Sequence, residues 1–110
     1  MAGAGEQWVD AGSIDQIPAG HVRLVTAGDL RIAVCNVDGQ LYAIEDVCTH
    51  DGGPLDQGQL EGDEIECPRH GGRFNVRTGE ATQMPAVMPV AKFPLRIEGR
   101  DILVRTIPEE

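Results

Sequence analysis

Positive charge is scarce in this 110-residue chain: 9 Lys and Arg stand against 18 Asp and Glu, a formal charge of −9. That deficit argues against nucleic acid and anionic membrane as partners, because both attract cations. Long apolar runs are missing too. The longest, Met84–Ala91, is interrupted by Pro85 and Pro89 and falls far short of the roughly 20 apolar residues of a membrane helix. Residues Met1–Glu6 carry neither the basic nor the apolar part of a signal peptide, so a cytoplasmic chain is expected. No long stretch places its apolar residues at helical spacing. Three cysteines, an odd number, suit a reducing compartment better than a disulfide framework. The length fits one domain, and 41% hydrophobic with 25% charged residues is too apolar for a disordered chain.

What is present is punctuation. Fourteen glycines and seven prolines divide the chain into short segments, most alternating with period two. Leu30, Ile32 and Val34 alternate with Arg31, Ala33 and Cys35, which predicts a strand with one buried face. Asp38-Gly39 is a two-residue hairpin signal, returning through Gln40–Ile44. Phe93, Leu95 and Ile97 are expected to face one way along a further strand, and Gly99-Arg100-Asp101 turns it into Ile102–Arg105. Shorter strands are expected at Val22–Thr26, Asp63–Glu66 and Arg73–Val76. Only Ser13–Ile17 suggests a helical turn, with Ser13 and Gln16 at capping-box spacing and Pro18 ending it. Many closely spaced strands predict an all-β sandwich or barrel.

Glu45–Arg77 departs from this pattern. It has little apolar material, many glycines and the densest polar chemistry of the chain, so something besides hydrophobic burial is expected to hold it. It contains Cys48-Thr49-His50 and Cys67-Pro68-Arg69-His70, that is, C-x-H, sixteen residues, then C-x2-H. Two thiolates and two imidazoles form a complete four-ligand set, one sulfur and one nitrogen from each loop. Gly52, Gly53, Gly71 and Gly72 permit tight turns with N–H groups aimed at sulfur, and Pro54 and Pro68 restrict the loops further. A tetrahedral zinc site fits the ligand types. Against it, zinc fingers group the cysteines on one knuckle and the histidines on a helix, whereas here each pair is mixed and no helix is expected.

The two boxes resemble those of Rieske iron–sulfur proteins. The resemblance extends over the whole chain: a strand near Trp8, the Asp38-Gly39 hairpin, Arg73–Gly79 and the closing Phe93–Val104 hairpin. It is strongest to the small Rieske-type ferredoxins of bacterial aromatic-ring dioxygenase systems. The resemblance implies stacked antiparallel sheets in a single domain, 1–110, with a base from 1–45 and 83–110 and a cluster-binding part from 46–82. It implies one 2Fe–2S cluster, with Cys48 and Cys67 on one iron and His50 and His70 on the other. It places Gln83–Ala86 in the proline loop that covers the cluster in relatives. Arg69, beside His70, is a candidate partner contact at the tip.

The implied ligand set bears on the electron. Two ferric ions, two sulfides and two thiolates sum to zero when the histidines are neutral, and one electron makes the centre negative. A four-cysteine cluster starts more negative, so the mixed set raises the potential, into a range of roughly −150 to +300 mV. High-potential relatives add a disulfide between the loops and serine and tyrosine hydroxyls at the sulfurs. The matching positions here are Gly53 and Arg69, then Gly72 and Phe74. Fewer donors favour the low end, about −150 mV. Glu45, Asp46, Asp51, Asp56, Glu61, Asp63, Glu64 and Glu66 add a negative surround with no Lys or Arg between 45 and 68, and a docking face for a basic partner is expected there.

The remaining candidates have bland readings. Cys35 is expected to be a buried free thiol and His21 a surface residue. The function implied by the resemblance is electron carriage in aromatic hydrocarbon catabolism: from an NAD(P)H-dependent flavin reductase to a terminal Rieske oxygenase, with no catalysis by the chain itself. No nucleophile–base arrangement is found in the sequence. The alternatives are a Rieske-like small subunit of an assimilatory nitrite reductase, a carrier for iron–sulfur assembly or another oxygenase, and a zinc-stapled structural module.

Overall fold

Tight turns at close intervals leave no room for helices, and the computed structural model, which describes residues 8–50 and 52–109, is built almost wholly of antiparallel strands. In chain order they are β1 (Trp8–Ser13), β2 (Val22–Ala27), β3 (Leu30–Val37), β4 (Gln40–Glu45), β5 (Leu60–Glu61), β6 (Glu64–Glu66), β7 (Arg73–Asn75), β8 (Ala81–Gln83), β9 (Lys92–Phe93), β10 (Leu95–Glu98) and β11 (Asp101–Arg105). One turn of 3-10 helix, Ile14–Gln16, follows β1. Its start is capped as the spacing predicts: Asp15 N–H donates to Ser13 Oγ at 3.3 Å, and Ser13 N–H donates to Gln16 Oε1 at 3.0 Å.

The strands form three sheets, ordered β1-β11-β10, β2-β3-β4-β9 and β5-β6-β7-β8. The predicted Asp38-Gly39 turn joins β3 to β4, with Val37 opposite Gln40 and Ile32 opposite Glu45. The four-stranded middle sheet has a core on each side. Ile32, Val34, Ala43 and Phe93 pack with Ile102 and Val104 beneath the first sheet. Ala33, Cys35 and Ile44 point the other way, into a second core with Leu55, Ile65, Phe74 and Val76.

Two expectations are thereby corrected. β3 was expected to bury one face, yet Ile32–Asn36 are all buried. Period-two alternation still sorts its side chains, but a layer covers each face, so the small residues Ala33 and Cys35 serve as core. Glu45–Arg77 is likewise not devoid of a core. Leu55, Ile65 and Phe74 are fully buried there, each contributing about 1.5–3 kcal/mol of burial. Few apolar residues suffice because they share the middle sheet's underside.

The third correction concerns the closing hairpin. Phe93 and Leu95 do not share a strand: Lys92–Phe93 pair with β4, whereas Leu95–Glu98 pair with β11. Pro94 between them has no N–H to donate and marks the step from one sheet to the next. Phe93 is buried, and Ile97 is 43% exposed.

Candidate metal centre

Two six-residue loops, 48–53 and 67–72, close with the same backbone bonds. Cys48 N–H donates to Gly53 O at 2.6 Å and Gly52 N–H to Cys48 O at 2.7 Å; Cys67 N–H donates to Gly72 O at 2.7 Å and Gly71 N–H to Cys67 O at 3.0 Å. Each loop begins with cysteine and ends in Gly-Gly. Gly52 and Gly71 take φ of 79° and 80°, a conformation that a side chain would oppose. The glycine pairs are thus fixed by their offset from each cysteine.

The paired loops bring the predicted ligand residues together, the two cysteines in one core and the two histidine rings in contact. Cys48 and Cys67 are each 1% exposed, within the second core, whereas His50 and His70 are exposed. The two imidazole rings meet edge to face, with centroids 5.4 Å apart and planes at 84°. Sulfur lies inside and nitrogen at the surface. Among the described residues, no three His, Cys, Asp or Glu side chains gather tightly enough to hold a single metal ion. A mononuclear zinc site needs four donors converging on one point. A two-iron cluster distributes its donors over two metals, so buried thiolates and surface imidazoles suit it better.

Each loop is anchored by charge, in opposite ways. Before the first, Asp46 has a side chain with 0% exposure. Its Oδ1 accepts from Leu55 N–H at 2.8 Å and Asp56 N–H at 2.7 Å, and its Oδ2 accepts from Arg31 Nη2 at 2.9 Å. Burial pushes the Asp46 carboxyl above its ordinary pKa, while the Leu55 and Asp56 N–H donors pull it down. Around the second loop a cation is central. Arg73 Nη2 lies 2.9 Å from Glu66 Oε1 and 3.0 Å from Glu61 Oε1, and Nη1 lies 3.5 Å from Glu64 Oε1. The Glu61 contact, foremost, raises the guanidinium pKa and keeps it charged.

The eight acids of this segment are partly offset by three arginines, so it stays net negative but is not an unrelieved acidic run. Asp51 lies outside the described residues. Asp46 and Asp56 face Arg31, Glu61, Glu64 and Glu66 face Arg73, and Asp63 lies 3.7 Å from Arg77. Arg31 lies on β3, Arg73 on β7 and Arg77 in the turn after it, all outside 45–68, so a count along that segment misses them. Arg31, Arg73 and the anchoring role of Asp46 escaped the sequence reading. For Arg73 a signal existed, since residues flanking a hairpin loop face each other across the strands.

A third segment covers the loops. Thr49 Oγ1 donates to Met88 O at 2.7 Å, and Gln83 Nε2 donates to Gly71 O at 3.0 Å, tying residues 83–88 to both loops. Ala86 is buried against Gly72, where a Cβ would sit 3.0 Å from Ala86 Cβ and 3.1 Å from its N. Position 72 thus has no room for a serine hydroxyl unless the covering segment moves, and Phe74 is spent in the core. Met84, Val87 and Met88 are 75%, 68% and 61% exposed, an apolar rim beside the loops. Arg69 is exposed. Cys35 is buried, and burial above all pushes its thiol pKa up to about 12, so it stays protonated at neutral pH. His21 is exposed on its turn, with Nδ1 3.3 Å from Ala19 O.

The fold and this arrangement of loops define an iron–sulfur protein of one class. Residues 7–94 match the model of the Rieske [2Fe-2S] domain, and the chain belongs to that family, whose centre is one 2Fe–2S cluster. It is similar to the ferredoxin component of the naphthalene 1,2-dioxygenase system of Pseudomonas aeruginosa, with 40% identity over 90% of this chain and 95% of that one. Among solved structures, it resembles a chain of the complex of reduced oxygenase and oxidized ferredoxin in carbazole 1,9a-dioxygenase, with TM-score 0.92, 35% identity, and coverage of 96% of this chain and 98% of that one. A Mycobacterium tuberculosis chain named for the small subunit of an NADH-dependent nitrite reductase gives TM-score 0.78 over 88% of this chain and 92% of that one. At 21% identity it shows a common fold alone.

Proposed function

We propose that this chain is a Rieske-type ferredoxin that carries single electrons in the cytoplasm from an NAD(P)H-dependent flavin reductase to a terminal aromatic-ring-hydroxylating oxygenase. Residues 46–82 are then the cluster-binding part of one domain, on a base of 1–45 and 83–110. Cys48 and Cys67 would hold one iron of a 2Fe–2S cluster, and His50 and His70 the other. The cluster supplies reversible one-electron chemistry. The observation that carries this reading is the matched pair of loops, with buried cysteines and exposed histidine rings 5.4 Å apart. The core packed around the cysteines keeps water from the sulfur side, and the histidines present an edge to a partner. Family membership and similarity to dioxygenase ferredoxin components support the carrier role over the nitrite reductase subunit, which shares only the fold.

The test is anaerobic visible and EPR spectroscopy with iron and acid-labile sulfide analysis. One two-iron cluster per chain is expected, with a midpoint near the low end of the Rieske range, about −150 mV. A colourless, zinc-containing protein without sulfide would overturn the reading, and a midpoint above zero would overturn its low-potential part. His50→Cys and His70→Cys should each lower the midpoint, because thiolate adds negative charge; an unchanged value removes the histidines from the ligand set. Obligate copurification with a large reductase subunit would return the nitrite reductase alternative.

A further inference from the structure

We propose that Arg73 is a positioning residue for the second loop that also sets the charge beside it, holding the reduction potential higher than the surrounding carboxylates alone would allow. This rests on the reading of the chain as a Rieske ferredoxin. Glu66 and Arg73 are the last paired positions of β6 and β7 before the chain leaves for Cys67–Gly72. Their side chains meet at 2.9 Å across the mouth of that loop. The same guanidinium reaches Glu61 on β5 and Glu64 on β6, so one side chain ties three carboxylates of two strands to the base of the loop.

The ion cluster lies close to the candidate centre. A Cβ on Gly71 would sit 3.7 Å from Glu66 Oε2, so this carboxylate lies against the residue that follows His70. The Arg73 side chain is only 24% exposed, which leaves its field less screened than that of a surface arginine. One cation among three anions leaves two net negative charges; without the cation there are three. Reduction adds one electron to the centre and neither forms nor breaks a bond of these side chains. Added negative charge nearby therefore disfavours reduction, and the cation that offsets it favours reduction.

The experiment is a redox titration of the cluster-containing protein with dithionite at low and high salt, alongside urea unfolding. Arg73→Gln should shift the midpoint downward, with a smaller shift at high salt. Arg73→Lys keeps the charge but not the forked geometry, so its midpoint should stay near that of the wild type while its stability falls. Glu61→Gln, at a more exposed carboxylate, should shift the midpoint upward and gives an independent reading where Arg73→Gln fails to assemble. A wild-type midpoint with both Arg73→Gln and Glu61→Gln overturns the electrostatic role. Equal downward shifts for Arg73→Gln and Arg73→Lys also overturn it, leaving loop shape alone. Absence of the two-iron signal in the wild type defeats the functional reading itself, a result distinct from a normal wild type with unmoved variants.

Discussion

The two Cys/His loops share a pattern of backbone bonds and differ in what holds them. Both are closed by a cysteine N–H to the second glycine carbonyl and by the first glycine N–H to the cysteine carbonyl. The first is held by a buried carboxylate that gathers two N–H groups and an arginine. The second is held by a partly exposed arginine that gathers three carboxylates. Identical turns can thus be supported by opposite charges, because the turn is decided by glycine offsets and the support by whichever strands lie beneath. The difference has an energetic consequence. A buried acceptor with backbone donors cannot be replaced by water, whereas exposed ion pairs largely can.

Asp46→Ala is the most severe way to break this comparison. It leaves the Leu55 and Asp56 N–H groups without their acceptor and Arg31 without its nearest carboxylate, Leu55 being fully buried. A loss of about 3–5 kcal/mol in urea unfolding is expected. Asp46→Asn keeps an oxygen at the position that accepts both N–H groups and should cost about 1–2 kcal/mol. Equal losses for the two variants would show that the ion pair to Arg31, not the backbone acceptor, supports the first loop.

Position 72 tests the second loop at the next level. A methyl group there meets the Ala86 backbone and side chain at 3.0–3.1 Å, so Gly72→Ala must displace either the loop or its cover. A cost of about 1–3 kcal/mol is expected, measured by the same unfolding experiment. This tightness could not be read along the chain. What was legible was local: the Asp38-Gly39 turn, the Ser13–Gln16 cap, the Cys-to-Gly-Gly offsets and the two Cys/His boxes. Each depends on residues a few positions apart, and each signal is strong because turn geometry admits few residue types. The rest depends on which layers meet. The second buried face of β3, the sheet change at Pro94 and the pairing of Arg31 with Asp46 arise from contacts between segments distant in sequence. Asp46 illustrates the limit. Along the chain it was one of eight acids in a solvated-looking run, yet its oxygens are buried and organise the loop that follows.

The smallest expected effects distinguish the two loops by their ties to the covering segment. Thr49 Oγ1 binds Met88 O from the first loop, and Gln83 Nε2 binds Gly71 O of the second. Thr49→Val removes one hydroxyl at nearly constant volume and should cost about 0.5–1.5 kcal/mol, as should Gln83→Ala. If residues 83–88 act as one strap, either remaining tie keeps the cover seated, and amide exchange at Ala86 should rise only modestly in each single variant. The double variant releases both ends, so its exchange should increase by more than the sum of the single effects in free energy. Strict additivity would show instead that each loop holds its own part of the cover independently. The two loops would then be linked through the His50–His70 ring contact and the core beneath them, not through the cover.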